Sequence, residues 1–240
     1  MTEDRSRLPQ LPSLSDAMVL SVEWLFEPAW RGERLMARVR DGRVTLTDGA
    51  GDPAGADLAE VAEVLEPALR SDHAVIDGIW TNMPFVGEGS AARHLADAIE
   101  EEGLTEELPD PILNEARRAF VAIDLVELDD QPLHEVPYLE RRRLLASVLD
   151  ENVRVRLSPA VRLPIHNWLM AWRAGGFSHY VAKHVNSRYH PGEVAEDWLL
   201  ISTAERRGPS PVGRLFGMRP KKVLHIEDDG NPRATRADRR

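Results

Sequence analysis

Residues 33–47, ERLMARVRDGRVTLT, limit the possible folds more than any other stretch of the chain. Apolar and polar residues alternate on both sides of the pair Asp41-Gly42. An Asp-Gly pair between two alternating segments is a strong signal for the tight turn of a β-hairpin. The sequence therefore predicts two antiparallel strands here.

The rest of the chain mixes strand-like and helix-like patterns without an internal repeat. Short apolar or alternating runs predict strands at 19–26, 73–80, 120–128, 153–158, 179–185 and 197–202. Apolar residues at helical spacing predict helices at 56–70, 92–103, 111–119, 139–151 and 166–176. Strands and helices interspersed around an antiparallel hairpin indicate the α+β class.

Composition excludes several classes of protein. The 240 residues include no cysteine, which excludes disulfides and thiolate zinc sites and fits a cytoplasmic protein. The sequence has neither an apolar run of about 18 residues nor a signal-peptide pattern, so we expect no membrane association.

Charge and turn residues divide the chain into three parts. We expect a polar leader at 1–18, a folded domain at 19–203 and a mostly mobile tail at 204–240. The tail carries ten Arg or Lys and five Asp or Glu, whereas the whole chain has a net charge of −10. Any DNA binding should therefore be weak and depend on the tail. The tail is also too short for a five-stranded oligonucleotide-binding barrel.

Five motifs occur in a fixed order: FEPAWRGER (26–34), VIDGI (75–79), FVAIDLVEL (120–128), ERRRLL (140–145) and YVAKHVNSRYHPGEVAEDWLLIS (180–202). Together they resemble the adenylation domain of ATP-dependent DNA ligases, especially the small bacterial type. The resemblance covers roughly residues 22–202 and implies a ligase-like nucleotidyltransferase fold with antiparallel sheets and flanking helices. For an active member it also implies ATP, Mg²⁺ and a covalent lysyl–AMP intermediate, which needs an amine nucleophile.

Several positions depart from the family pattern. The nucleophilic lysine aligns with Ala29, and the aspartate two residues later aligns with Arg31. By the same resemblance, Ile79 replaces an acidic ribose contact, Ile123 the aromatic ring that stacks on adenine, and Ser178 a metal-binding glutamate. The two lysines that neutralise the α-phosphate align with Leu200 and Ser202. Phosphoryl transfer depends on positioning and charge neutralisation, so these losses should compound. We therefore expect no catalytic residue, no metal site and no cofactor.

Other family residues are retained. Glu27, Arg34 and Lys183 match the pattern and are the residual candidates for contact with a nucleotide. Most matched residues are better interpreted as scaffold; Asp124, for example, is expected to make a hydrogen bond at a strand end.

Two further patterns have more than one interpretation. His179, His184 and His190 are close in sequence, but the first two should point to opposite faces of a strand, which favours structural or surface histidines over a metal site. The ERRR run at 140–143 is expected to begin a solvated helix face, with contact to a DNA backbone as the alternative.

Three functions remain open from the sequence. The favoured one is a non-catalytic binding or scaffold protein, linked to DNA repair and acting beside a protein partner or an active ligase. The second is an ATP-dependent DNA ligase that joins nicks, as the resemblance alone implies. The third is a sensor that binds a nucleotide without covalent chemistry, through Arg34 and Lys183.

Overall fold

The computed structural model describes residues 8–82 and 118–204. The predicted helix at 92–103, nearly all of the one at 111–119, and the tail from residue 205 onward lie outside these ranges. In the described residues, three α-helices are α1 (Ala59–Leu65), α2 (Tyr138–Val148) and α3 (His166–Ala174). One turn of 3₁₀-helix precedes α1 (Ala56–Leu58) and another follows it (Glu66–Ala68). The strands are β1 (Leu11–Ser15), β2 (Trp24–Pro28), β3 (Glu33–Arg40), β4 (Arg43–Asp48), β5 (His73–Thr81), β6 (Ala119–Leu128), β7 (Gln131–Pro132), β8 (Val155–Leu157), β9 (His179–His184) and β10 (Val194–Ser202).

The larger sheet contains the predicted hairpin. Its order is β4-β3-β5-β6-β7, and β8 pairs with β6. Asp41 and Gly42 both adopt positive φ, 50° and 69°, between the antiparallel strands β3 and β4, which is the geometry an Asp-Gly hairpin turn requires. The β6–β8 pair is parallel and the other pairs of this sheet are antiparallel. Mixed sheets with flanking helices confirm the α+β class.

The smaller sheet has the order β1-β10-β9-β2. Strand β1 runs parallel to β10, with Leu11 opposite Val194 and Ser15 opposite Ile201. The expectation that the folded domain begins only at residue 19 is thus wrong, because part of the supposed leader is an edge strand. Strand β2 also begins later than predicted, at Trp24 instead of residue 19.

Two apolar clusters hold the sheets and helices together. One lies between the larger sheet and helices α1 and α2 and includes Leu35, Ile76 and Leu145. The other joins the two sheets and α3, because it contains Ile79 and Ile123 from the larger sheet together with Phe26 from the smaller one. The two sheets therefore meet through apolar side chains, and residues of β2, β5, β6, β9 and β10 beside this contact line a cavity. No helix in the described ranges is long and apolar enough to cross a membrane.

Candidate functional site

A cavity of about 300 Å³ opens beside the contact between the two sheets. Its wall contains most of the positions that the sequence predicts to have lost their chemistry, drawn from β5, β6, β10 and the loops after β2 and before β9: Ala29, Arg31, Ile79, Ile123, Ser178 and Leu200. The remaining predicted position, Ser202, is opposite His179 in the β9–β10 pair and is not part of the wall. The fold thus brings together six positions that are spread over 172 residues of sequence.

The turn after β2 is held by contacts that do not involve the Ala29 side chain. The Ala29 amide donates a hydrogen bond of 3.1 Å to the carbonyl oxygen of His179. The Trp30 indole donates to the Ser158 hydroxyl at 3.0 Å. Gly32 has a φ of 150°, and a Cβ there would lie 2.1 Å from the carbonyl oxygen of Trp80. A precise turn is therefore maintained, and it presents a methyl group to the cavity.

Lys183 lies in the cavity wall but is engaged by protein groups. Its Nζ donates to Glu27 at 3.2 Å and to the Ile123 carbonyl oxygen at 3.0 Å. It also lies 4.2 Å from the centre of the Trp198 ring and 4.7 Å from that of Tyr138. Burial lowers the pKa of the Lys183 ammonium, which the Glu27 carboxylate opposes.

Glu27 is the acceptor at the centre of this buried group. Its carboxylate also accepts a hydrogen bond from the Tyr138 hydroxyl and lies 3.7 Å from Arg142. Burial raises the pKa of Tyr138 well above its usual value, and the nearby charge of Glu27 adds to the effect. Tyr138 thus remains a neutral hydrogen-bond donor. The Glu27 carboxylate is engaged by Tyr138, Lys183 and Arg142, which are all groups of the protein itself.

Arg34 forms a second internal pair. Its Nε and Nη2 donate to the two carboxylate oxygens of Asp77 at 2.5 and 2.7 Å, and Nη2 also donates to the Gln10 carbonyl oxygen at 3.2 Å. The Tyr189 hydroxyl donates to the same carboxylate at 2.7 Å. Although burial alone would lower it, the pKa of Arg34 is raised by Asp77. The Arg34 Nη1 group has no hydrogen-bond partner among the described residues.

The ERRR run is not a solvated face, which corrects the prediction. Arg141 is 0% exposed and makes a two-point ion pair with Asp124, at 2.9 and 2.8 Å, on the neighbouring strand β6. It also donates to the carbonyl oxygens of Val136 and Ser187. Only the outer pair of Glu140 and Arg143 is exposed. The prediction failed because a local run of charge does not reveal a partner that only the tertiary fold supplies.

The histidines do not mark a metal centre in the described residues. His179 contacts the Ser178 hydroxyl at 3.0 Å, whereas His184 packs edge-on against Trp24 with ring centres 5.2 Å apart. In residues 8–82 and 118–204, no group of three His, Cys, Asp or Glu side chains is placed to hold a metal ion.

This fold, with its cavity between two sheets, defines a nucleotidyltransferase-type domain. Residues 11–201 match the family model described as the ATP dependent DNA ligase domain, and the chain belongs to that family. It is 23% identical over 197 residues to a DNA ligase of Thermococcus onnurineus, covering 79% of this chain and 34% of that protein. It is 27% identical over 180 residues to the multifunctional non-homologous end joining DNA repair protein LigD of Mycobacterium tuberculosis, covering 74% of this chain and 21% of LigD.

Solved structures agree on the fold. The crystal structure of the ligase domain of M. tuberculosis LigD has a TM-score of 0.58 and 22% identity, covering 82% of this chain and 60% of that one. A mycobacterial DNA ligase D complexed with ATP and MES has the same TM-score and identity. This chain spans only about a third of the Thermococcus ligase and a fifth of LigD, so the matched region corresponds to part of those proteins.

Proposed function

We propose that this chain is a non-catalytic member of the DNA ligase family that serves as a binding or scaffold protein in DNA repair. The observation that carries the proposal is the cavity wall itself. The family resemblance places the nucleophile at position 29, where the wall presents the methyl group of Ala29. An amine with a free lone pair is needed to attack the α-phosphate of ATP, and alanine offers none.

The remaining lysines do not substitute for it. The chain has three lysines, and two of them, Lys221 and Lys222, belong to the tail. Lys183 is held between Glu27 and the Ile123 carbonyl oxygen under the Trp198 ring. An attack by its Nζ would require breaking those contacts and separating a buried ion pair, which costs about 3–5 kcal/mol.

The apolar side chains of the wall are also a reason to expect that any nucleotide binds weakly. Ile79, Ile123 and Leu200 present apolar groups where the family contacts ribose, adenine and phosphate. A triphosphate placed beside them would lose hydration without gaining partners for its charge. This arrangement favours a scaffold over the alternatives of a ligase and a nucleotide sensor.

The link to DNA repair comes from the relatives. The mycobacterial relative is named as a non-homologous end joining DNA repair protein. A domain that keeps the fold of such a protein can keep its surfaces for other repair proteins after the chemistry is lost.

The direct test is the mass of the intact protein after incubation with ATP and Mg²⁺. We expect an unchanged mass, because no described amine is free in the cavity. A gain of one AMP would refute the proposal, and peptide mapping would show whether Lys183 carries it. An active ligase of the same family, treated in parallel, controls for the reagents.

A further inference from the structure

The edge of the smaller sheet formed by β1 has one paired side and one open side. Among the described residues, β10 is the strand that pairs with β1, and β1 is the end strand of its sheet. The Leu11 amide donates to the Glu193 carbonyl oxygen at 2.9 Å, on the β10 side. Because backbone groups alternate between the two sides along a strand, the amide and carbonyl groups of Leu14 point away from β10. An edge strand with open backbone groups can accept a further strand.

The sequence of β1, LPSLS, fits an open edge. Proline within a sheet is confined to edges and bulges, because it has no amide hydrogen to donate, and Pro12 lies one residue after Leu11 on the open side. Charged side chains, lysine above all, are the usual protection of an edge against a further strand. No residue of Leu11–Ser15 is charged, so Pro12 is the one protective feature within this strand.

Aliphatic side chains are exposed on both faces of this edge. Leu11 and Leu14 are three residues apart in the strand and therefore lie on opposite faces, with exposed fractions of 46% and 82%. Leu11 is opposite Val194, which is 62% exposed, and Leu14 is opposite Leu200. An added strand would cover these side chains, because its own side chains would lie beside them on both faces.

The surroundings of the edge are acidic. Residues 11–16 and 193–202 include no Arg or Lys but four carboxylates, namely Asp16, Glu193, Glu196 and Asp197. None of these four carboxylates makes an ion pair with another described residue. Arg34, which contacts the backbone just before β1, is already paired with Asp77. The edge is therefore apolar at its centre and negatively charged around it.

This charge decides between two kinds of occupant. A second copy of the chain would bring the same carboxylates close to one another and add a further net charge of −10. A segment with an aliphatic centre and cations at both ends is complementary, because Asp16 directly follows β1 and Glu193 lies beside its first residue. Such a segment would cover the apolar side chains and place its cations near the carboxylates.

We propose that β1 binds an extended segment of a partner protein by strand addition, and that this segment has an aliphatic centre flanked by Lys or Arg. Main-chain hydrogen bonds to the open side of β1 provide the affinity in this mode, and the flanking side chains provide the specificity. The inference rests on the proposed function in one respect, namely that the chain is a binding protein, and it names the class of partner.

Fluorescence anisotropy with three synthetic nonapeptides tests the proposal, each acetylated, amidated and labelled with an uncharged fluorophore. The probe is KKVTVTVKK, and the comparisons are EEVTVTVEE and the rearranged VTVKKKKTV, which has the composition of the probe but its cations in the centre. We expect saturable binding of the probe to the full chain, about tenfold tighter than that of either comparison. Equal binding of the rearranged peptide would show attraction by charge alone and refute strand addition, and absence of saturable probe binding would refute the proposal outright.

Two variants and one control locate the peptide. Leu14→Lys changes a largely exposed side chain, so folding should be undisturbed, and it should weaken probe binding about tenfold by removing an apolar contact and adding a like charge. Asp16→Asn removes one carboxylate and should weaken probe binding about threefold. Met170→Lys makes the same kind of change at a 53% exposed residue of α3, outside the smaller sheet, and should change nothing. If Leu14→Lys and Met170→Lys bind the probe equally, the peptide lies elsewhere and the proposal is refuted.

Sedimentation velocity of the full chain examines the second copy as an occupant. A dimer that Leu14→Lys converts into monomers would show that β1 is an interface between copies, and would refute the proposed partner. Formation of an AMP adduct, in contrast, would refute the loss of catalysis and leave the peptide result unaffected. Failure of the probe to bind would leave the loss of catalysis unaffected, so the two proposals fail separately.

Discussion

Replacing Arg141 by methionine should destabilise this protein far more than the same change two residues further along the helix. The two-point pair of Arg141 with Asp124 is completely buried, with both side chains 0% exposed. The guanidinium also donates to two backbone carbonyl oxygens and lies 5.8 and 5.6 Å from the ring centres of Tyr138 and Tyr189. Arg141→Met therefore leaves the Asp124 carboxylate buried, and among the described residues the Leu125 amide, at 2.8 Å, is the hydrogen-bond donor that remains to it.

The expected loss follows from this uncompensated charge. Breaking a buried pair by removing one partner typically costs about 3–5 kcal/mol, a large part of the roughly 5–15 kcal/mol by which domains are stable. Urea denaturation followed by circular dichroism measures the loss as a lower midpoint. Arg143→Met is the matched control on the same helix, because the Arg143 pair with Glu140 is exposed and its loss should scarcely move the midpoint.

A double replacement provides a second check on the reasoning. Asp124→Leu combined with Arg141→Met removes both charges, and the double variant should be more stable than Arg141→Met alone, since buried pairs are often replaceable by apolar residues. The explanation would be refuted if Arg141→Met and Arg143→Met had the same midpoint, or if the double variant were no better than the single one.

Three further outcomes follow from the cavity and the charge distribution. Ala29→Lys should not take label from α-³²P ATP, because by the family resemblance Ser178, Leu200 and Ile123 replace metal, phosphate and adenine contacts. Losing one such contact costs about 10²–10³ in rate, so labelling of this variant would show that the rest of the site works. Calorimetry should find ATP affinity weaker than micromolar and unchanged by a chelator, and tight binding that a chelator abolishes would contradict the apolar wall. Any DNA binding, measured by fluorescence anisotropy, should fall steeply with salt and be lost on truncation after Ser202, whereas equal binding by the truncated chain would indicate a basic surface on the domain.

The parts of the fold that the sequence predicts correctly depend on local signals. The hairpin at Asp41-Gly42 is one example, because turn chemistry and alternation both lie within a few residues. The alternating or apolar runs of β5, β6 and β9 are others. Strand β1 was missed because its evidence is distant: Leu11–Ser15 pairs with a strand more than 180 residues away, and its own sequence, LPSLS, has a weak pattern.

The candidate site shows the same division between local and distant information. The family motifs assign most of the altered positions to one cavity, and the structure places six of seven in its wall. The motifs do not say how the retained charges are used. Arg34 and Lys183 are the residual candidates for contact with a nucleotide, and in the fold each is tied to a buried carboxylate, 43 and 156 residues away, respectively. The carboxylate partners of Arg34 and Lys183 are set by how distant strands pack, which the motifs do not reveal.

The pattern of retained and altered residues then has a physical explanation. Arg34 and Lys183 match the family and are bonded to the protein itself, so replacing either would leave Asp77 or Glu27 as a buried, unpaired charge. Ala29 lines the cavity at the position where the family resemblance implies a lysine, and the contacts that hold this turn do not involve its side chain. Under the proposed loss of catalysis, groups that would serve only a nucleotide can be lost, while the groups that neutralise the buried carboxylates of the chain must stay. Retention of Arg34 and Lys183 is accordingly explained by stability and is weak support for nucleotide binding.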